Sequence, residues 1–330
     1  MRRPFGTTPD GRAVEAVSLH AGDLSVTILT LGAAIHDVRL KGVSYPLTLG
    51  ATDIGAYAGP MTYFGALVGP VANRIAGASA PLNGGLLSFE ANEGTTCLHG
   101  GPQGMHTEVW QIESATDNAV TMTLDLPDGT GGFTGNRAVK ARFSLDAPAH
   151  LRLVIEAETD KDTYINIANH SYWSLDGTPT ITGHILTIPA DRYTPVDRAL
   201  IPTGVADVHG TDFDFRSGRA VGSGTPRIDH NLCLSDAPRD TLQHACTLTG
   251  QSGVTLRIDT TEPGLQVYDA GEQSSAPYVG LTGKHYGAFC GMALEPQRWP
   301  DGPNQTGFPT CRLNAGDVYR QETVWSFSKA

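Results

Sequence analysis

Polar and apolar residues alternate with a period of two in Leu24-Ser25-Val26-Thr27-Ile28-Leu29, Val120-Thr121-Met122-Thr123-Leu124, Val139-Lys140-Ala141-Arg142-Phe143, Leu151-Arg152-Leu153-Val154-Ile155 and Val254-Thr255-Leu256-Arg257-Ile258. Successive side chains of an extended chain point to opposite faces, so each stretch predicts a strand with one packed and one wet face. Between the strands stand turn clusters such as Pro127-Asp128-Gly129-Thr130-Gly131-Gly132, Leu175-Asp176-Gly177-Thr178-Pro179 and Asp301-Gly302-Pro303-Asn304, whose residues favour tight reversals. No long segment repeats its apolar residues every 3.6 positions, so only a few short helices are expected. No fixed-period repeat and no Pro/Ser linker interrupts the pattern. The expectation is an all-β chain, a large antiparallel β-sandwich in which residues 1–330 form a single domain.

Two segments aim side chains in a usable way. In Thr163-Tyr164-Ile165-Asn166-Ile167-Ala168-Asn169-His170, alternation places Ile165 and Ile167 on one face and Tyr164, Asn166, Ala168 and His170 on the other. Around Leu265-Gln266-Val267-Tyr268 the same rule separates Leu265 and Val267 from Gln266 and Tyr268. Gly291-Met292-Ala293-Leu294-Glu295-Pro296 is an apolar run ending on a carboxylate. Pro296 cannot donate to a ladder, which predicts that the strand closes there with Glu295 at its end. A carboxyl following an apolar run is expected to have a raised pKa.

Composition narrows the class. The chain has 330 residues, 40% hydrophobic and 17% charged, enough apolar material for a core. Its 39 glycines and 21 prolines, spread along the length, match many turns between many strands. A formal charge of −11 repels phosphate backbones and anionic bilayers, so neither nucleic acid nor membrane is an expected partner. Met1-Arg2-Arg3-Pro4-Phe5-Gly6 is followed by no apolar stretch of signal-peptide length, and a cytoplasmic location is expected. Cys97, Cys233, Cys246, Cys290 and Cys311 are odd in number and contain no C-x-x-C pair, so buried reduced thiols are expected rather than disulfides or zinc.

The nucleophile elbow, the P-loop, the dinucleotide fingerprint and H-E-x-x-H are all missing from the sequence. What stays is a scattered polar set: Asn73-Arg74, His99 before two glycines, His170, Asp229-His230-Asn231, Gln266 and Glu295. Alone, each has a plain explanation. His99 reads as a loop residue with a backbone hydrogen bond, Asp229 as a turn or strand-end cap, and Arg74 equally as the partner of a buried carboxylate. Tyr172, Trp173 and Trp299 read as core or rim aromatics.

Taken together and in order, six blocks resemble the motifs of the aldose 1-epimerase (galactose mutarotase) family. They are Phe64-Gly65-Ala66-Leu67-Val68-Gly69-Pro70-Val71-Ala72-Asn73-Arg74-Ile75, Cys97-Leu98-His99-Gly100-Gly101, Asn169-His170-Ser171-Tyr172-Trp173-Ser174-Leu175-Asp176-Gly177, Asp229-His230-Asn231, Pro263-Gly264-Leu265-Gln266-Val267-Tyr268 and Leu294-Glu295-Pro296-Gln297. The likeness runs from about residue 5 to the C-terminus. It departs at Pro70, where the family usually has Arg, at Thr134 in place of Pro, and at Trp173 in place of a frequent Phe. None of these removes a catalytic group, and Pro70 bears on how the Asn73-Arg74 loop is presented.

The resemblance implies a galactose mutarotase-like sandwich that interconverts the α and β anomers of free aldohexoses such as glucose and galactose. It further implies Glu295 as the base at the anomeric hydroxyl, His170 as the acid at the ring oxygen and His99 as a second donor there. Asn73, Arg74, Tyr172, Asp229 and Gln266 are its expected sugar-binding residues. Ring opening needs one proton removed and one delivered, so neither metal nor cofactor is expected. The partner is the free sugar, and the chain is expected to act as a monomer or homodimer. Three rivals compete with this reading. A glycoside hydrolase or lyase would use Asp229 and Glu295 as its acid pair and leave the histidines without a role. A silent carbohydrate-binding homologue would have lost motif residues. A phosphosugar epimerase would want more basic residues than Arg74.

Overall fold

In a computed structural model the described residues are 1–222, 224 and 226–330. They form three main sheets, of nine, six and four strands, with every strand pair antiparallel. The nine-stranded sheet takes in the expected strands as Ala119–Leu126, Arg137–Asp146, His150–Thr159 and Val254–Thr260, with Val318–Lys329 between the last two. Leu24–Leu29 belongs to the four-stranded sheet. Ile54–Tyr57 is the sole α-helix among the described residues, capped by the Asp53 carboxylate on the Gly55 N–H. Among the described residues no helix is long and apolar enough to cross a membrane.

The six-stranded sheet positions the chemistry. Its order is Tyr172–Trp173, Met292–Gln297, Gly264–Tyr268, Asp229–Cys233, Arg192–Thr194 and Ala206–Asp207. Leu265, Val267, Met292 and Leu294 point from one face into the main core, where they join Leu256, Ile258, Trp325 and Phe327 of the nine-stranded sheet. Trp173 spans the layers, its ring centroid 6.2 Å from Trp325 and 5.6 Å from Phe327. Because side chains alternate, Gln266, Glu295 and Asp229 are left on the opposite face, as predicted for Gln266 and Tyr268.

Two local expectations need correction. The strand does not close at Glu295: it continues through Pro296 to Gln297, pairing Leu265 with Pro296 and Gly264 with Gln297. Its other neighbour pairs only at Met292 and Ala293. Pro296 thus lies where one side of the strand is free and the missing N–H costs nothing. The 163–170 run keeps its predicted faces but is not one strand. Thr163–Tyr164 pairs with Arg312–Leu313 and Ala168–Asn169 with Leu67–Val68, so the chain changes partners midway. Ile165 and Ile167 enter the main core, while His170 emerges into a packed site.

Gly65 ties this segment down. Its N–H donates to the His170 carbonyl at 3.0 Å, and its own carbonyl accepts from the Asn169 side-chain amide at 2.7 Å. Its φ is +73°, and a Cβ there would lie 2.1 Å from the Ile35 carbonyl oxygen. Gly65→Ala combines a left-handed alanine with overpacking, for a loss of roughly 2–5 kcal/mol. The expected result is a lower urea midpoint, together with a fall in activity, because the backbone that places His170 must shift.

Candidate active site

Six segments from across the sequence meet above the polar face of the six-stranded sheet. Asn73 and His99 follow each other in space: the His99 N–H donates to the Asn73 carbonyl at 2.9 Å, and the Asn73 N–H donates to His99 Nδ1 at 3.1 Å. Both residues have left-handed backbones, φ 60° and 53°. Short asparagine and histidine tolerate this conformation better than branched residues do. The pair lies where Arg74–Ile75 meets Cys97–Leu98. A backbone N–H can only donate, so Nδ1 of His99 is unprotonated and Nε2 carries the hydrogen. Burial holds His99 far below the usual imidazole pKa, with the neighbouring His170 adding to the effect. His99 is a fixed, neutral donor.

His170 and Glu295 face each other with Nε2 and Oε1 3.6 Å apart, both essentially inaccessible. Desolvation pushes the Glu295 carboxyl well above its ordinary value; the negative charge of Asp229 adds to this and Arg74 opposes it. Desolvation lowers His170 to about 4. The expected raised carboxyl is present, though its cause is burial at mid-strand. A carboxyl moved up and an imidazole moved down, within one proton's reach, share their titration.

Arg74 grips Glu93 with Nε and Nη2 at 2.6 and 2.9 Å, and its Nη1 stands 3.6 Å from Asp229. Gln266 donates its side-chain amide to the same Asp229 carboxylate. Burial raises Asp229 against the opposing pull of Arg74 and Gln266. Tyr172 lies under His170, its ring centroid 5.0 Å away. Asn73, Arg74, His99, His170, Tyr172, Asp229 and Glu295 all line one hollow of about 380 Å³, within the ~300–1,000 Å³ range of small-molecule sites. Gln266 joins them as the strand neighbour of Glu295. The plain readings of Arg74 and His99 hold too: one pairs with a carboxylate, the other holds a backbone bond.

Sequence reasoning missed Glu93, Tyr63 and Asp301. Glu93 orients Arg74, and Tyr63 packs on His99 and His170 with centroids 4.8 and 5.9 Å away. Asp301, read as a turn residue, accepts from the Ala76 N–H while its own N–H binds the Arg74 carbonyl, bracing that loop. None of the three has a local pattern that would have marked it.

His99, His170 and Glu295 bring their side-chain donor atoms within 4.8 Å of one another. A metal-bound imidazole presents a lone pair at one nitrogen and donates from the other. In His99 the lone pair at Nδ1 is already taken by the Asn73 N–H, which leaves the hydrogen on Nε2. In this tautomer Nε2 of His99 offers a hydrogen rather than a lone pair.

Burial also makes the fold acid-labile. His36, His106, His170 and His230 are each lowered to about 4 by desolvation, and His99 further. A depressed pKa contributes stability that is full above the unfolded value of about 6.5 and is lost as pH falls towards the folded value. Unfolding free energies from urea titrations should fall, as pH drops from about 6.5 towards 4, by ~1.4 kcal/mol per pH unit for each imidazole that charges on unfolding.

The family described as aldose 1-epimerase matches residues 15–326. Galactose mutarotase of Mus musculus is 36% identical over 345 aligned positions, spanning 100% of this chain and 98% of that protein. Aldose 1-epimerase of Escherichia coli K12 is 31% identical over 97% of this chain and 96% of its own length. Among solved structures, the GalM/aldose epimerase homologue from C. elegans superposes with a TM-score of 0.90 at 28% identity, covering 96% of this chain and 100% of that one. The galactose 1-epimerase from Lactobacillus acidophilus shares the fold with a TM-score of 0.85 over 100% of this chain and 98% of its own. By sequence across its length and by its β-sandwich, the chain belongs to the aldose 1-epimerase family of isomerases.

Proposed function

We propose that this chain is a mutarotase for free aldohexoses such as glucose and galactose, with Glu295 and His170 as the proton-transferring pair. The observation that carries the reading is the 3.6 Å approach of His170 Nε2 to Glu295 Oε1 in a hollow of about 380 Å³. Glu295 takes the proton of the C1 hydroxyl while His170 gives one to the ring oxygen. The bond from C1 to the ring oxygen breaks and the C1 carbonyl forms. Rotation about the C1–C2 bond presents the other carbonyl face, and the reverse transfers close the ring as the second anomer. The pair holds one proton throughout: burial leaves it on the carboxyl in the free protein, the cyclic complex reacts from the arrangement with it on the imidazole, and the open complex has it back on the carboxyl. His99, donating from Nε2, steadies charge that develops on the ring oxygen. Arg74, Asp229, Gln266, Asn73 and Tyr172 orient the sugar. No step calls on a metal or a cofactor.

Every residue in this reading comes from one chain, so it needs no partner subunit and suits a monomer or a homodimer equally. Residues 1–330 act as one domain, and the five free, buried cysteines suit a reducing cytoplasm. The glycosidase alternative is disfavoured because Asp229 is already engaged by Gln266 and Arg74. Polarimetry on freshly dissolved α-glucose and α-galactose tests the proposal. Catalysed decay to the anomeric equilibrium is expected with the free sugars and none with their methyl glycosides. Turnover of the glycosides, or no acceleration with either sugar, would overturn it.

A further inference from the structure

Tyr63 lines the hollow yet has no place in the proton transfers. Its ring centroid lies 4.8 Å from His99 and 4.7 Å from His106, and it stacks on His170 at 5.9 Å with 24° between the planes. The phenol is partly exposed, and its hydroxyl makes no hydrogen bond to the described residues. Desolvation and then the charge of Glu93 keep it protonated, and Arg74 and Cys97 are the other groups acting on it. Its ring is nearest His99 and His106 and farther from His170, the imidazole that faces Glu295, so the phenol lies on the His99 side of the site, away from the carboxyl that faces C1.

The sugar's own connectivity turns this position into a role. The ring oxygen, faced by His170 and His99 in the reading above, is bonded only to C1 and C5. With C1 held at Glu295, C5 and its hydroxymethyl group extend to the other side of the imidazoles. We propose that the Tyr63 hydroxyl is a specificity group that hydrogen-bonds the C6 hydroxyl of an aldohexose and so favours hexoses over pentoses. The inference rests on the mutarotase assignment and deepens it. One phenol hydrogen bond gained in the complex corresponds to about a three- to tenfold preference.

The test compares D-galactose, D-fucose, which lacks only the C6 hydroxyl, and L-arabinose, which lacks C6 altogether, in wild type and Tyr63→Phe. Wild type should show a three- to tenfold higher kcat/KM for galactose than for fucose. In Tyr63→Phe that ratio should fall to near one through galactose alone, with fucose and arabinose turned over as in wild type. A merely structural phenol would slow all three sugars alike and overturn the proposal, as would a galactose-to-fucose ratio that survives the substitution. Tyr63→Leu removes the ring that packs on His170, and it should slow every sugar while also abolishing the galactose preference. A wild type that turned over none of the three would instead sink the mutarotase assignment, so the two failures are distinguishable.

Discussion

Glu295→Gln is expected to lower kcat by at least ~100-fold, the lower end of what a positioned general base contributes, while making the protein more resistant to unfolding at neutral pH. Glutamine keeps the shape and can still hydrogen-bond, but it cannot accept the C1 hydroxyl proton. The stability gain follows from burial. Desolvation raises the carboxyl in the folded state, so folding favours its neutral form. A raised pKa contributes stability that is fully present below the unfolded value of about 4.5 and is lost as pH rises through the folded value. Glutamine is neutral throughout. The two proteins should therefore unfold alike at pH 4 and diverge above it, with the variant the more stable. Stopped-flow polarimetry and urea titrations across pH test both halves. A fall in kcat accompanied by equal destabilisation would show that the carboxyl is structural.

That opposition between activity and stability explains why the site was partly legible in the sequence. Faces were readable, because alternation alone separated Gln266 from Leu265 and His170 from Ile167, and the structure sends the members of each pair to opposite sides. Strand continuity was not, because it depends on neighbours. Pro296 is tolerated in mid-strand only because the adjoining strand pairs no further than Ala293, and residues 163–170 split because two different strands reach them. The proposed pair, Glu295 and His170, was read from its family motifs, and a raised carboxyl was anticipated from the apolar run before Glu295. Glu93, Tyr63 and Asp301 were not found. Each acts through a contact 19 or more positions away: Glu93 on Arg74, Tyr63 on His99 and His170, Asp301 on the loop at Ala76. A lone carboxylate or phenol in a loop carries no periodicity to announce such a contact.

His170→Asn is expected to cost at least ~100-fold in kcat as well, and the shape of the remaining pH profile distinguishes its role from that of Glu295. In the native protein the pair is competent when it holds one proton. Below that range a second proton neutralises the base, and above it the last proton is lost and no acid remains. The kcat/KM profile should therefore be bell-shaped, with both limbs belonging to the coupled pair. Asparagine leaves Glu295 to titrate alone, so the residual rate should rise through a single ionisation that lies above the ordinary carboxyl range, and the alkaline limb should vanish. His99 cannot replace the lost acid. Its Nδ1 already accepts from the Asn73 N–H, so the ring has no free nitrogen on which to carry a second proton. It can donate a hydrogen bond to the ring oxygen but has no surplus proton to give. A His170→Asn profile that stayed bell-shaped with the native limbs would mean that another group delivers the proton, and the assignment of the imidazole would have to move.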